Sequence, residues 1–156
     1  MRPVRALLLL AAAGALLPLP AQAVCSTSAT LVAFGSYNPF AVGNSDSAGT
    51  ITVSCTGGLI SLLVSYDIKL SPGLYGTYAA RRMGAGSNRL SYNLYTNAAR
   101  TTIWGDGSGG TSFVSDGYLL GLLTVNRNYS VYGRLPAAQN VAPAAYSDTI
   151  TVTVEY

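Results

Sequence analysis

The fold class that this sequence predicts is an all-β sandwich. Three observations carry that reading. Apolar and polar residues alternate over several runs of strand length. Gly- and Pro-rich turns separate those runs at short intervals. No window holds a helical period of about 3.6 residues between caps. The composition agrees, with 49% hydrophobic and only 10% charged residues, where a soluble domain usually carries about 25% charge. A length of 156 residues suits one domain.

The chain opens on an address. Arg2 and Arg5 form a basic start, residues 6–19 are almost wholly apolar, Pro20 breaks the run, and Ala21-Gln22-Ala23 is a small-residue cleavage site. The apolar run contains Pro18 and falls short of the roughly 20 residues that cross a bilayer. Residues 1–23 therefore read as a signal peptide and 24–156 as the mature domain, with no membrane span after cleavage. Cleavage removes two of the nine basic residues, against six acidic ones. That near-neutral balance argues against a nucleic-acid partner, which needs a basic stripe. Arg81-Arg82 with Arg89 is the densest cluster and reads as a solvated loop.

Export and an even Cys count predict a disulfide. Cys25 and Cys55 would close a loop of about 30 residues, worth roughly 3–4 kcal/mol. Two free thiols or a redox pair are the alternatives, and the lack of a C-x-x-C arrangement speaks against the latter.

The strands follow in order. Residues 29–34 read as the first. In 49–56, Ile51, Val53 and Cys55 face one way and Thr50, Thr52 and Ser54 the other. Residues 60–70, 90–96, 118–125 and 128–135 are the next candidates. The last is 146–156, with Ile150, Val152, Val154 and Tyr156 on its inner face. Turn signals lie at Ser71-Pro-Gly73, Gly84-Ala-Gly86, Gly105-Asp-Gly-Ser-Gly-Gly110 and Pro136.

The inventory argues against catalysis. His is absent, which removes Ser-His-Asp and Cys-His chemistry and the commonest metal ligand. Two cysteines cannot build a four-thiolate site. Asp46, Asp67, Asp106, Asp116 and Asp148 mostly neighbour Gly, Ser or Asn and read as Asx-turns. Trp104-Gly-Asp-Gly-Ser-Gly109 lacks the spaced acids of a Ca²⁺ loop. The Asn128-Tyr-Ser130 glycosylation sequon falls inside a strand. No enzyme activity, cofactor or metal is expected. The 11 Tyr residues read first as half-buried packing and second as a sugar-binding surface.

Several segments together resemble the spore coat protein U domain family, which includes subunits of archaic, Csu-type chaperone–usher pili. They are Cys25 leading to Phe34-Gly-Ser-Tyr-Asn-Pro39, then Gly49-Thr-Ile-Thr-Val-Ser-Cys-Thr56, Leu90-Ser-Tyr-Asn-Leu-Tyr95, Ala99-Arg-Thr101 and Trp104-Gly-Asp-Gly107. Val131-Tyr-Gly-Arg-Leu-Pro136 and Tyr146-Ser-Asp-Thr-Ile-Thr-Val-Thr-Val154 complete the set. The resemblance implies an immunoglobulin-like sandwich missing its last strand, filled first by a periplasmic pilus chaperone. At the outer-membrane usher, a neighbouring subunit's donor strand then replaces it. On this reading the groove is formed by Ile150, Val152, Val154 and Tyr156, opposite first-strand residues Leu31 and Ala33.

Cleavage after Ala23 leaves only Val24 ahead of Cys25, and a donor strand needs roughly 10–15 residues at about 3.3 Å each. The expected role is a distal, tip-type acceptor at the cell surface, serving attachment and biofilm formation. Residues 59–63 and 119–123 are the most apolar runs. They read as core strands, or else as adhesive loops led by Leu59, Ile60, Leu119 and Leu120. A spore- or cell-coat protein and a stand-alone carbohydrate-binding module are the competing readings.

Overall fold

The computed structural model describes residues 23–57 and 62–156. Among them it forms strands β1 (Val24–Ala29), β2 (Ser45–Thr56), β3 (Leu62–Leu70), β4 (Arg81–Ala85), β5 (Asn88–Tyr95), β6 (Val114–Leu120), β7 (Val125–Leu135) and β8 (Val152–Glu155), and no helix. One sheet has the order β1-β2-β7-β5-β4 and the other β6-β3-β8. The strand pairs are antiparallel. The all-β sandwich expected from the alternation is the fold observed.

The core lies between the sheets. Ile51, Val53 and Cys55 of β2, with Val131 and Leu135 of β7, face Val64, Tyr66, Ile68 and Leu70 of β3. Burying a side chain of this size contributes about 1.5–3 kcal/mol. Trp104 is fully buried among them, and its Nε1–H donates to the Ile68 carbonyl at 2.9 Å. A buried indole therefore keeps its polar handle satisfied. Cys25 and Cys55 stand directly opposite each other and are joined by a disulfide. That bond pins the edge strand β1 to β2.

Several strand boundaries differ from expectation. The first strand is 24–29, and residues 30–34 leave the sheet edge to cross the inner face. Thr30 N donates to Thr50 O at 2.8 Å, and Ser47 Oγ donates to Ala33 O at 2.6 Å. Two glycines make the crossing passable. A Cβ on Gly49 would lie 2.9 Å from Val32 Cγ2, and one on Gly133 would lie 2.6 Å from Val32 Cγ1. The run 118–125 is not one strand: β6 ends at Leu120 and β7 begins at Val125. A continuous apolar run carries no alternation to mark that turn. Strand β4 went unread because its buried side chain is Arg81, not an apolar residue. In the final stretch only 152–155 is ladder-paired. Upstream, Ser147 exchanges backbone hydrogen bonds with Gly84 at 2.8 and 3.1 Å.

Candidate binding groove along the last strand

β8 is an edge strand, bonded to β3 alone. Its polarity follows from one contact, the 2.9 Å bond from Ser71 N to Thr151 O. Alternation along an antiparallel ladder then aims Thr153 and Glu155 at β3, opposite Lys69 and Asp67. Val152 and Val154 sit in the intervening pairs, so their N–H and C=O groups point away from β3 to the free side. Their side chains, with that of Ile150, are half-buried against the core. One short segment thus offers open backbone groups and an apolar row together.

Across the opening lies the 30–34 crossover. Between the two is a cavity of about 220 Å³, flanked by Leu31, Val32 and Phe34 on one side and Ile150 and Val152 on the other. Ile51, Val131, Leu94 and Tyr92 line its floor. Phe34 packs edge-on to Tyr92, with centroids 6.2 Å apart.

A polar frame holds this mouth in shape. Asp148 Oδ2 accepts the Tyr92 hydroxyl at 2.7 Å, and its Oδ1 accepts Leu74 N at 2.8 Å. Burial first, and the Asp148 carboxylate second, push the Tyr92 phenol far above its ordinary range. Thr151 N donates to Ser71 Oγ at 2.9 Å. Ser71 O in turn accepts from Arg81 Nη2 at 2.8 Å. Arg81 is fully buried and also donates to Asn93 Oδ1 at 2.8 Å and Trp104 O at 2.7 Å. Burial holds its pKa below the usual guanidinium value, and these acceptors satisfy the charge where no carboxylate is bonded. Asp148 and Arg81 are site residues that the sequence reading missed. The first looked like a turn residue and the second like part of a solvated cluster.

The edges of the fold are not equivalent. At the far edge of the same sheet, β6 carries Asp116 among its inward positions, where it accepts the Tyr129 hydroxyl at 2.5 Å. That hydrogen bond from Tyr129 is the leading reason the Asp116 pKa is lowered. An inward charge blunts an edge against pairing. The inner row of β8 has no such guard.

The sequence-derived site residues fall as follows. Ile150, Val152 and Val154 form the row, while Tyr156 is 69% exposed beyond the last paired residue. Leu31 is 87% exposed at the cavity rim. Ala33 is exposed too, and Val32 and Phe34 take the core side. A one-residue slip inverts every side chain of an extended segment. Leu119 is 72% exposed, but Leu120 is fully buried. Leu122 and Leu123 are exposed next to them, and Leu63 pairs opposite Leu119. Leu59 and Ile60, like residues 1–22 of the expected signal peptide, lie outside the described residues.

Comparison with known proteins identifies the family. The Spore Coat Protein U domain profile matches residues 12–153. The chain belongs to the Spore Coat Protein U domain family. It is 34% identical over 137 residues to Protein U of Myxococcus xanthus, covering 79% of this chain and 70% of that protein. In fold, this member is similar to a chain of the CsuC–CsuE chaperone–tip adhesion subunit pre-assembly complex from the archaic chaperone–usher Csu pili of Acinetobacter baumannii. The TM-score is 0.54 and the identity 24%, over 86% of this chain and 40% of that chain. The chain thus spans well under half the length of that structural neighbour.

Proposed function

We propose that this protein is an exported, non-catalytic subunit of a chaperone–usher pilus, and that it accepts a β-strand from another polypeptide along β8. The observation that carries the proposal is the unpaired edge at Val152 and Val154 beside a 220 Å³ apolar cavity. Strand addition uses such a feature directly, with main-chain bonds giving affinity and pockets giving specificity. The family and the likeness in fold to a chaperone–pilus complex support the same reading. A periplasmic chaperone would fill the groove first, and a neighbouring subunit would replace it at an outer-membrane usher. Ile150, Val152, Val154 and Tyr156 would meet the donor on one side, and Leu31, with Ala33 nearby, on the other.

Residues 1–23 are proposed to be removed on export and 24–156 to form the domain. Cleavage there would leave no length ahead of the disulfide-pinned β1 to donate, so a distal position in the fibre is proposed. Attachment and biofilm formation would use the apolar end at Leu119, Leu122 and Leu123. The mass of the mature N-terminus tests that position. The family's description, Spore Coat Protein U domain, favours a second reading, a coat subunit.

Val154→Pro is the decisive substitution. It deletes an outward N–H while sparing the bonds of Thr153 and Glu155 to β3. The variant is expected to keep its fold and lose chaperone co-purification and incorporation into fibres. Normal incorporation would refute strand acceptance at this edge.

A further inference from the structure

A Gly- and Tyr-containing loop and part of the arginine cluster converge at one place in the fold. The loop Gly73-Leu-Tyr-Gly-Thr-Tyr78 and the exposed half of the arginine cluster enclose an open basin of about 560 Å³. Leu74, Tyr75, Thr77, Arg82 and Arg89 line it, and no carboxylate does. The basin is built rather than loose. The Arg89 guanidinium lies 4.4 Å from the Tyr75 ring centroid. Its Nη1 donates to Gly86 O at 2.7 Å and Asn88 O at 2.8 Å, which fixes the side chain and leaves its remaining donors open. The Tyr75 ring packs against Gly84, where an added Cβ would come within 2.7 Å of the ring. Leu74 N is tied to Asp148 at 2.8 Å, and Thr77 and Ala80 exchange backbone bonds at 3.2 Å.

The charges elsewhere make this basin distinctive. Lys69 pairs with Glu155, and Arg100 and Arg134 share Asp46. Arg81 is buried on carbonyl groups, and Arg127 lies over the Tyr118 ring. Among the described residues, Arg82 and Arg89 are the two cations that share a solvent-open basin without any acid in it. Beside them stand Tyr75, 40% exposed, and Leu74, 65% exposed. A guanidinium pair next to a small apolar platform fits a ring that carries a carboxylate.

We infer that this basin binds a uronate unit of an acidic polysaccharide. The carboxylate sits between Arg82 and Arg89, and the C–H face of the sugar ring rests on Leu74 and the exposed part of Tyr75. Two cations are too few for a nucleic-acid backbone, which needs several phosphate contacts. They are also fewer than the roughly 4–8 basic residues of an anionic-lipid site. A neutral glycan would leave both guanidinium groups without an anionic partner. None of Leu74, Tyr75, Arg82 or Arg89 lines the β8 groove, so the inference does not depend on the fibre reading.

The test is titration calorimetry on the full exported chain with a galacturonate oligomer of defined length. A second titration uses the same oligomer after reduction of its carboxyl groups to alcohols, and a third uses inorganic phosphate. The acidic oligomer is expected to bind saturably, and the reduced one about tenfold more weakly or worse, as loss of a charge-assisted bond requires. Arg82→Gln should weaken binding to a similar degree with an unchanged circular-dichroism spectrum. Tyr75→Phe should retain binding and Tyr75→Ala should lose it. Equal binding of the two oligomers, full binding by Arg82→Gln, absence of saturation, or displacement of the oligomer by an equal concentration of phosphate would each overturn the inference. The comparison of the two oligomers needs no variant, so it decides even if a substitution impairs folding.

Discussion

Gly133→Ala probes the crossover that forms one wall of the groove. Gly133 is buried on the inner face of β7, and a Cβ there would lie 2.6 Å from Val32 Cγ1 and 2.7 Å from Phe34 Cζ. Carbon atoms prefer separations of about 3.5–4.0 Å, so both side chains must shift by close to an ångström. Overpacking of this kind costs about 1–3 kcal/mol. The backbone at Gly133 is not in the left-handed region, so alanine also gains roughly 0.5–1 kcal/mol from the unfolded state. The net expected loss is about 0–2.5 kcal/mol, centred near 1 kcal/mol, read as a fall in Tm of up to roughly 10 °C for a domain of this size. Thermal and urea denaturation of the free chain measure it. A companion variant, Val32→Ala with Phe34→Ala, removes the obstructing atoms. In that background Gly133→Ala should cost nothing, giving a coupling of about 1 kcal/mol or more. Losses that simply add, with no coupling between Gly133→Ala and the Val32→Ala, Phe34→Ala pair, would show that the 30–34 segment does not pack on Gly133.

Three further outcomes are expected. Replacing Cys25 and Cys55 by Ser should cost about 3–4 kcal/mol in urea denaturation, from the 30-residue separation that the disulfide spans. The hydrogen bond from Arg134, then the charge of Arg100, holds the Asp46 carboxyl below its usual range. A lowered folded pKa stabilises above the unfolded value of 3.8 and loses that contribution as pH falls through the folded one. Asp46→Asn should therefore lower stability slightly at neutral pH, by no more than about 1 kcal/mol for so exposed a pair. The difference from the parent should vanish in acid, which denaturation across a pH series checks. Finally, Leu119→Lys should leave the Tm almost unchanged while Leu120→Lys unfolds the domain, because the first side chain is 72% exposed and the second fully buried.

Legibility in the sequence followed the alternation. Ile51, Val53 and Cys55 sit on a two-sided strand with Thr and Ser opposite, and one face of it is buried as the pattern demands. The row Ile150, Val152 and Val154 was readable for the same reason. The crossover was not, because Leu31-Val-Ala-Phe34 is apolar on both faces and its side is set by Gly49 and Gly133, far away in sequence. The leucine run 119–123 hid a turn for a related reason, since only Gly121 interrupts it. Arg81 shows a different limit. Its neighbour Arg82 is exposed and it is fully buried, a difference made by carbonyl groups of Ser71 and Trp104 that no local pattern records.

Amide hydrogen exchange at Val152 and Val154 tests most directly whether β8 receives a strand. In the free chain these two amides should exchange as open edge groups, while Thr153, bonded toward β3, is protected. In the chaperone-bound or fibre-assembled chain, Val152 and Val154 should gain protection to the level of Thr153. Protection of both valines in the solitary chain, or no change on assembly, would contradict the account.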